Sequence, residues 1–138
     1  MLLTNFKPED DYISINYNCK ILDLHNDYEF VSIVQNDDDR VILLNFNKRN
    51  DDWVAEDSIE NFSLKFTAVR QSWFRERDND AFPEDAKVLS MIGFSTDDDY
   101  MDGVIAKTIE DMVLILIFEN GCAIKVASQF AELIENVY

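Results

Sequence analysis

The sequence predicts an α+β fold: a meandering antiparallel β-sheet of about six to eight strands with a C-terminal amphipathic helix packed on one face. Three observations carry this expectation. Apolar and polar residues alternate along several stretches, most clearly in Phe62-Ser63-Leu64-Lys65-Phe66-Thr67-Ala68. A period of two turns one side of a strand to a core and the other to water. Runs of Asp, Asn and Gly separate these stretches, where side chains that bond their own backbone or tolerate left-handed conformations favour turns. The chain ends on Phe130, Leu133, Ile134 and Val137, the i, i+3, i+4, i+7 spacing of a helix face.

The elements follow in order. Residues 12–24 are extended, beginning with the alternating Tyr12-Ile13-Ser14-Ile15-Asn16-Tyr17. Tyr28 to Val34 and Val41 to Phe46 form a hairpin around Asn36-Asp37-Asp38-Asp39, a turn built of residues suited to it. Residues 47–52 form a polar loop, and 53–62 fit either a short helix or irregular structure. Phe62 to Arg70 is a strand with Phe62, Leu64, Phe66 and Ala68 on the core face. Arg75 to Glu84 is a charged loop, Val88 to Phe94 a strand and Val104 to Ile109 a short strand. Met112 to Phe118 and Cys122 to Val126 make a second hairpin through Glu119-Asn120-Gly121, Asn-Gly being a strong hairpin signal. Ser128 is the expected N-cap of the final helix.

Composition sets the class of molecule. A chain of 138 residues fits one domain, 1–138, with a real core. Acids outnumber bases 28 to 12, for a formal charge of −16, yet hydrophobic residues make up 47% and there are ten Phe. Disordered acidic chains lack that apolar content, so the chain reads as folded. Nucleic acid and anionic membranes attract Lys- and Arg-rich surfaces, which disfavours both as partners. A basic protein partner is favoured, because opposite charge speeds encounter. Cys19 and Cys122 read as buried free thiols of a reducing compartment. The N-terminal residues lack a secretory signal pattern, no apolar run approaches membrane-spanning length, and a cytoplasmic location is expected.

Catalytic and metal chemistry find little support. His25 is the sole histidine; in His25-Asn26-Asp27 it reads as a solvated turn residue rather than the base that a nucleophile needs. One His and two distant Cys do not make a usual zinc set. The segment Asp97-Asp98-Asp99-Tyr100-Met101-Asp102-Gly103 is the best calcium candidate. With Gly103 as the sixth loop position, the twelfth is Ile109, and Glu110 arrives one residue late. The register fails at the bidentate ligand. The three glycines are scattered, so no phosphate-cradling loop exists. The expectation is a non-enzymatic protein with no catalytic residue, metal or cofactor. In Arg70-Gln71-Ser72-Trp73-Phe74-Arg75-Glu76-Arg77, the one basic island, the aromatics are expected to cap the core while the arginines pair with surface carboxylates.

The acidic runs remain the leading surface feature. Asp37, Asp38 and Asp39, then Asp51 and Asp52 followed by Trp53, and Asp97, Asp98 and Asp99 followed by Tyr100 and Asp102 form the candidate partner-binding set. Aromatic anchors beside carboxylates suit capture of a basic surface: charge steers encounter and the ring supplies affinity. These features act as one face only if the fold brings the runs together.

In size, acidity and expected architecture, and in the ending Ile115-Leu116-Ile117-Phe118-Glu119-Asn120-Gly121-Cys122-Ala123-Ile124-Lys125-Val126, the chain resembles the small acidic immunity proteins of bacterial polymorphic and contact-dependent toxin systems. That resemblance implies an inhibitor of a basic toxin domain, such as a nuclease, and assigns no individual residue a role. The alternatives are a DNA mimic of the anti-restriction kind, and an acidic scaffold or ligand-binding domain. A mimic spreads its acids along one elongated face, whereas these bunch at turns. The oligomeric state stays open.

Overall fold

Strands dominate the computed structural model, which describes residues 1–76, 78–95 and 113–136. They are β1 (Leu2–Leu3), β2 (Phe6–Pro8), β3 (Ser14–Tyr17), β4 (Lys20–Asp23), β5 (Tyr28–Asn36), β6 (Val41–Lys48), β7 (Asn61–Arg75), β8 (Leu89–Ser95), β9 (Val113–Phe118) and β10 (Ala123–Glu135). A single turn of 3-10 helix, Pro83–Lys87, precedes β8. Six strands form a sheet in the order β5-β6-β7-β10-β9-β8, curved into a half-barrel, and β1 joins it beside β10. A separate three-stranded sheet runs β2-β3-β4. The expected single meander is therefore two sheets.

Both hairpins form as the sequence suggests. β5 pairs with β6 from Tyr28↔Lys48 to Asn36↔Val41. In its turn the Asn36 carboxamide accepts the Asp39 amide at 3.2 Å. β9 pairs with β10 through a four-residue loop, Glu119 to Cys122, in which Gly121 has φ 84°. A side chain there would collide with the Asp78 carboxylate. The expected strand over Val104 to Ile109 lies outside the described residues, as does Met112.

The C-terminal helix is absent. Ala123–Glu135 is one continuous strand, antiparallel to β7 from Ala123↔Arg75 to Glu135↔Phe62. Ala131 and Leu133 are buried in the core, whereas Phe130 is 40% exposed on the opposite face. That is the alternation of a strand, and it divides the stripe on which the helix expectation rested. Ser128 caps nothing: it sits at a register shift, with its hydroxyl donated to the Phe130 carbonyl at 2.9 Å. Ladder pairing on both sides outweighs the helix propensity of Ala, Glu, Gln and Leu in this stretch. Near its end β10 pairs with β1, Leu2↔Phe130 and Leu3↔Ala131. The Asn5 carboxamide then continues the pairing, donating to the Leu133 carbonyl and accepting its amide, each at 2.8 Å.

The two sheets share one core. Phe6, Ile15, Tyr17 and Leu22 of the small sheet pack in a cluster with Leu44, Phe46, Phe62, Leu64, Phe66, Leu116 and Leu133 of the large one. Phe46 and Phe62 stack with centroids 5.1 Å apart, and Tyr28 meets Phe62 edge-on. On the other face of β9, Val113 and Ile115 are buried with Ala127 against Trp73, Met91 and Ile117. β9 is thus covered on both sides, which explains its unbroken apolar run. Lys125 is fully buried beside them, its ammonium 5.2 Å from the Trp73 ring centroid. Burial lowers its pKa, since a charge is costly to desolvate.

Three smaller expectations change. Ala68 does not continue the core face of β7: it adopts φ 51°, and Val69 packs against the core instead. Cys19 is exposed and Cys122 half-buried, so the thiols are not a buried pair. Asn18 (φ 48°) and Cys19 (φ 65°) form the two-residue turn between β3 and β4, a geometry that favours Asn-Gly.

Two substitutions test this chain path. Leu133→Ala should cost about 2–4 kcal/mol by leaving a cavity, and Phe130→Ala less than about 1 kcal/mol. Equal losses in urea denaturation would restore the helical stripe. Cys19→Gly should stabilise the fold by about 0.5–1 kcal/mol, because glycine carries no left-handed penalty; thermal denaturation reads the gain.

Candidate functional site

The loop joining β6 to β7 is held by its apolar residues and leaves its acids outside. Residues 50–60 contain five carboxylates and neither Lys nor Arg. Val54 is buried, with its amide on the Asp51 carbonyl at 3.1 Å. Ile59 packs against the core, and its carbonyl accepts the Tyr28 hydroxyl at 2.9 Å. Lys48 closes the loop base, with its ammonium 3.2 Å from the Glu60 carboxylate. Trp53 is left 65% exposed.

A second acidic loop meets this one. The Asp23 carboxylate accepts the amides of His25 at 3.0 Å and Asn26 at 2.8 Å, which fixes residues 23–27 as a turn. Trp53 donates its indole N–H to the Asn26 carbonyl at 3.1 Å. The Arg49 amide bonds the Asp27 carbonyl at 2.8 Å. Asp23 and Asp27 therefore belong to the same surface as Asp51, Asp52 and Trp53. Burial, then repulsion from Asp23, raises the Asp27 pKa, and Arg49 partly offsets the rise.

His25 stands beside this surface and is not a solvated turn residue. It is half-buried, with Nδ1 2.5 Å from the Leu89 carbonyl and 3.8 Å from the Glu119 carboxylate. A carbonyl only accepts, so Nδ1 carries the proton. In the basic island, Trp73 is partly buried, Phe74 is 49% exposed, and the Arg75 guanidinium bonds the Gly121 carbonyl at 3.1 Å.

The acidic runs do not all converge. Asp37, Asp38 and Asp39 are exposed at one end of the β5–β6 hairpin, while Asp51 and Asp52 follow its other end. The eight residues of β6 separate them, a span of about 25 Å at strand rise. Asp97, Asp98, Asp99, Tyr100 and Asp102 lie outside the described residues. Within the candidate set, the fold groups Asp51, Asp52 and Trp53, and it adds Asp23 and Asp27. No spacing in the sequence links Trp53 to Asn26. The available signal is the Asp23-x-His25-Asn26 pattern of a side-chain-capped turn.

An exposed indole face among carboxylates suits a Lys or Arg side chain, which gains cation–π attraction and Coulomb attraction together. Among the described residues, no group of three or more His, Cys, Asp or Glu side chains is placed to hold a metal ion. No helix among them is long and apolar enough to cross a membrane. No protein-family model, curated protein or solved structure matches the chain.

The raised Asp27 pKa has a measurable consequence. Its folded form holds a proton more tightly than the unfolded carboxyl at 3.8. Stability from this group is present below that value and lost as pH rises through the folded pKa. Asp27→Asn should raise the urea midpoint at pH 7 and converge with the parent below about pH 4. A lower midpoint at pH 7 would exclude this origin.

Proposed function

We propose that this chain is a non-enzymatic binding protein of the immunity or inhibitor kind, acting in the cytoplasm to neutralise a basic toxin domain. The observation that carries the reading is Trp53: 65% exposed, fixed through its indole N–H, and set beside Asp51, Asp52, Asp23 and Asp27. A side chain already held in place loses less freedom on binding, so more of its contact energy appears as affinity. The charge of −16 draws a cationic partner from a distance, and salt weakens that attraction. A nuclease domain fits, because its phosphate-binding surface is cationic. Arginines of that surface would lie on the indole face and pair with the carboxylates around it.

The test is co-expression with a basic domain encoded beside this chain, followed by binding of the purified pair. Growth should be restored and a complex formed. Trp53→Ala should weaken the complex about thirtyfold, as loss of a central aromatic anchor does. Replacing Asp51 and Asp52 together by Asn should slow association at low ionic strength and have little effect at high salt. Unrestored growth, or kinetics indifferent to all three changes, would dismiss this surface as the interface.

A further inference from the structure

His25 stands at the junction between the Trp53 surface and the far strands of the large sheet. Its Nδ1–H donates to the Leu89 carbonyl at 2.5 Å, and the same nitrogen lies 3.8 Å from the Glu119 carboxylate. The Glu119 amide bonds the Val88 carbonyl at 2.9 Å, so both partners of the imidazole belong to one ledge, where β8 begins and β9 ends. On its other side His25 adjoins Asn26, whose carbonyl holds the Trp53 indole. Adjacent residues lie about 3.8 Å apart along the chain. The ring is therefore on the order of 10 Å from the indole, about one Debye length at 0.1 M salt.

Charge around the imidazole is lopsided. Its own turn contributes Asp23 and Asp27, and the loop that carries the indole contributes Asp51 and Asp52. Glu119 faces it from the loop after β9. The 3-10 turn leading to Leu89 adds Glu84, Asp85 and Lys87, and Arg49 joins through its bond to the Asp27 carbonyl. Within this group, imidazole is the side chain whose ordinary titration falls between pH 5 and 8. The ring is 34% exposed, so solvent protons reach it. Nδ1 already carries its proton toward the Leu89 carbonyl, so a second proton enters at Nε2. The charge of the surface then changes while the hydrogen bond that seats the turn stays in place.

We propose that His25 is a proton-operated gate on the Trp53 surface, which holds an arginine-rich partner at neutral pH and releases it on mild acidification; this depends on that surface being the interface. A guanidinium on the indole face is drawn by the carboxylates around it, and an imidazolium among them opposes it. One unit of charge at this range changes affinity about three- to tenfold at low ionic strength.

A blocked deca-arginine peptide, whose guanidinium groups stay charged throughout, tests the gate when titrated into the full chain at low ionic strength. The Trp53 indole N–H resonance reports binding at about pH 7.5 and about pH 5.5, on either side of imidazole titration. Affinity should fall with acidification about three- to tenfold more in the parent than in His25→Gln, which keeps a donor for the Leu89 carbonyl and cannot charge. His25→Arg, charged at both pH values, should bind weakly at both. Asp27, whose pKa burial raises, titrates in parent and variants alike and cancels in the comparison. Should a variant unfold, the parent alone decides: bound peptide should move the His25 ring titration to lower pH, because coupling between two binding events is reciprocal. An equal fall in parent and His25→Gln, or a ring titration unmoved by the peptide, would overturn the gate and leave Trp53 as the interface. A Trp53 resonance indifferent to the peptide at both pH values would dismiss the surface and the gate together.

Discussion

The long antiparallel ladder between β7 and β10 is the constraint on which the rest of the molecule depends. It runs from Ala123↔Arg75 to Glu135↔Phe62 and places β10 inside the large sheet. The far side of β10 is shared: β9 takes Ala123 to Val126, and β1 takes Phe130 and Ala131. Asn5 then supplies a side-chain amide where backbone pairing stops. A buried peptide group without a partner costs about 1–3 kcal/mol, so this substitution of side chain for main chain keeps the Leu133 position inexpensive. With β10 fixed, the curvature of the half-barrel and the seat of the small sheet follow from which residues face inward.

Irregularity in that ladder also explains the contrast between its two ends. The shift between Ala127 and Ser128 coincides with the positive φ of Ala68. It ends the strict alternation of β7 and turns Val69 into the core. At the opposite end the ladder is regular, and the acidic loop is positioned by Val54, Ile59 and Tyr28. One end is shaped by backbone strain and the other by side-chain anchoring beneath a polar exterior.

Much of the large sheet was legible because its strands alternate and its turns carry specific chemistry. The β5–β6 and β9–β10 hairpins and the inward face of Phe62, Leu64 and Phe66 needed only local pattern. The C-terminal strand was not legible for a physical reason. Phe130, Leu133 and Ile134 fit a helical stripe, and the residues between them are good helix formers. Only the distant partner β7 makes the strand preferable, and propensity carries no information about partners. The small sheet was hidden likewise, since residues 12–24 look extended whichever sheet they join. In the candidate site, Asp51, Asp52 and Trp53 were legible as an acid run with an aromatic neighbour. The contributions of Asp23 and Asp27 depended on a tertiary hydrogen bond. Nothing in the local sequence announces left-handed backbone at Ala68.

The outer strand β5 carries one more consequence. Its ladder with β6 skips a position between Phe30 and Ser32, where Val31 stands 49% exposed, and Val34 further along is 51% exposed. An end strand with exposed apolar side chains invites another chain to add itself strand by strand. The skipped position spoils the match, because a straight newcomer meets one residue too many and loses step with the amides beyond it. At the opposite margin, the Tyr12 carbonyl already accepts the Ile92 amide at 2.6 Å, and the Tyr12 ring lies against Gly93. Among the described residues, the two end strands of the half-barrel thus each carry an obstacle to a further strand, misregistry at β5 and prior occupation at β8.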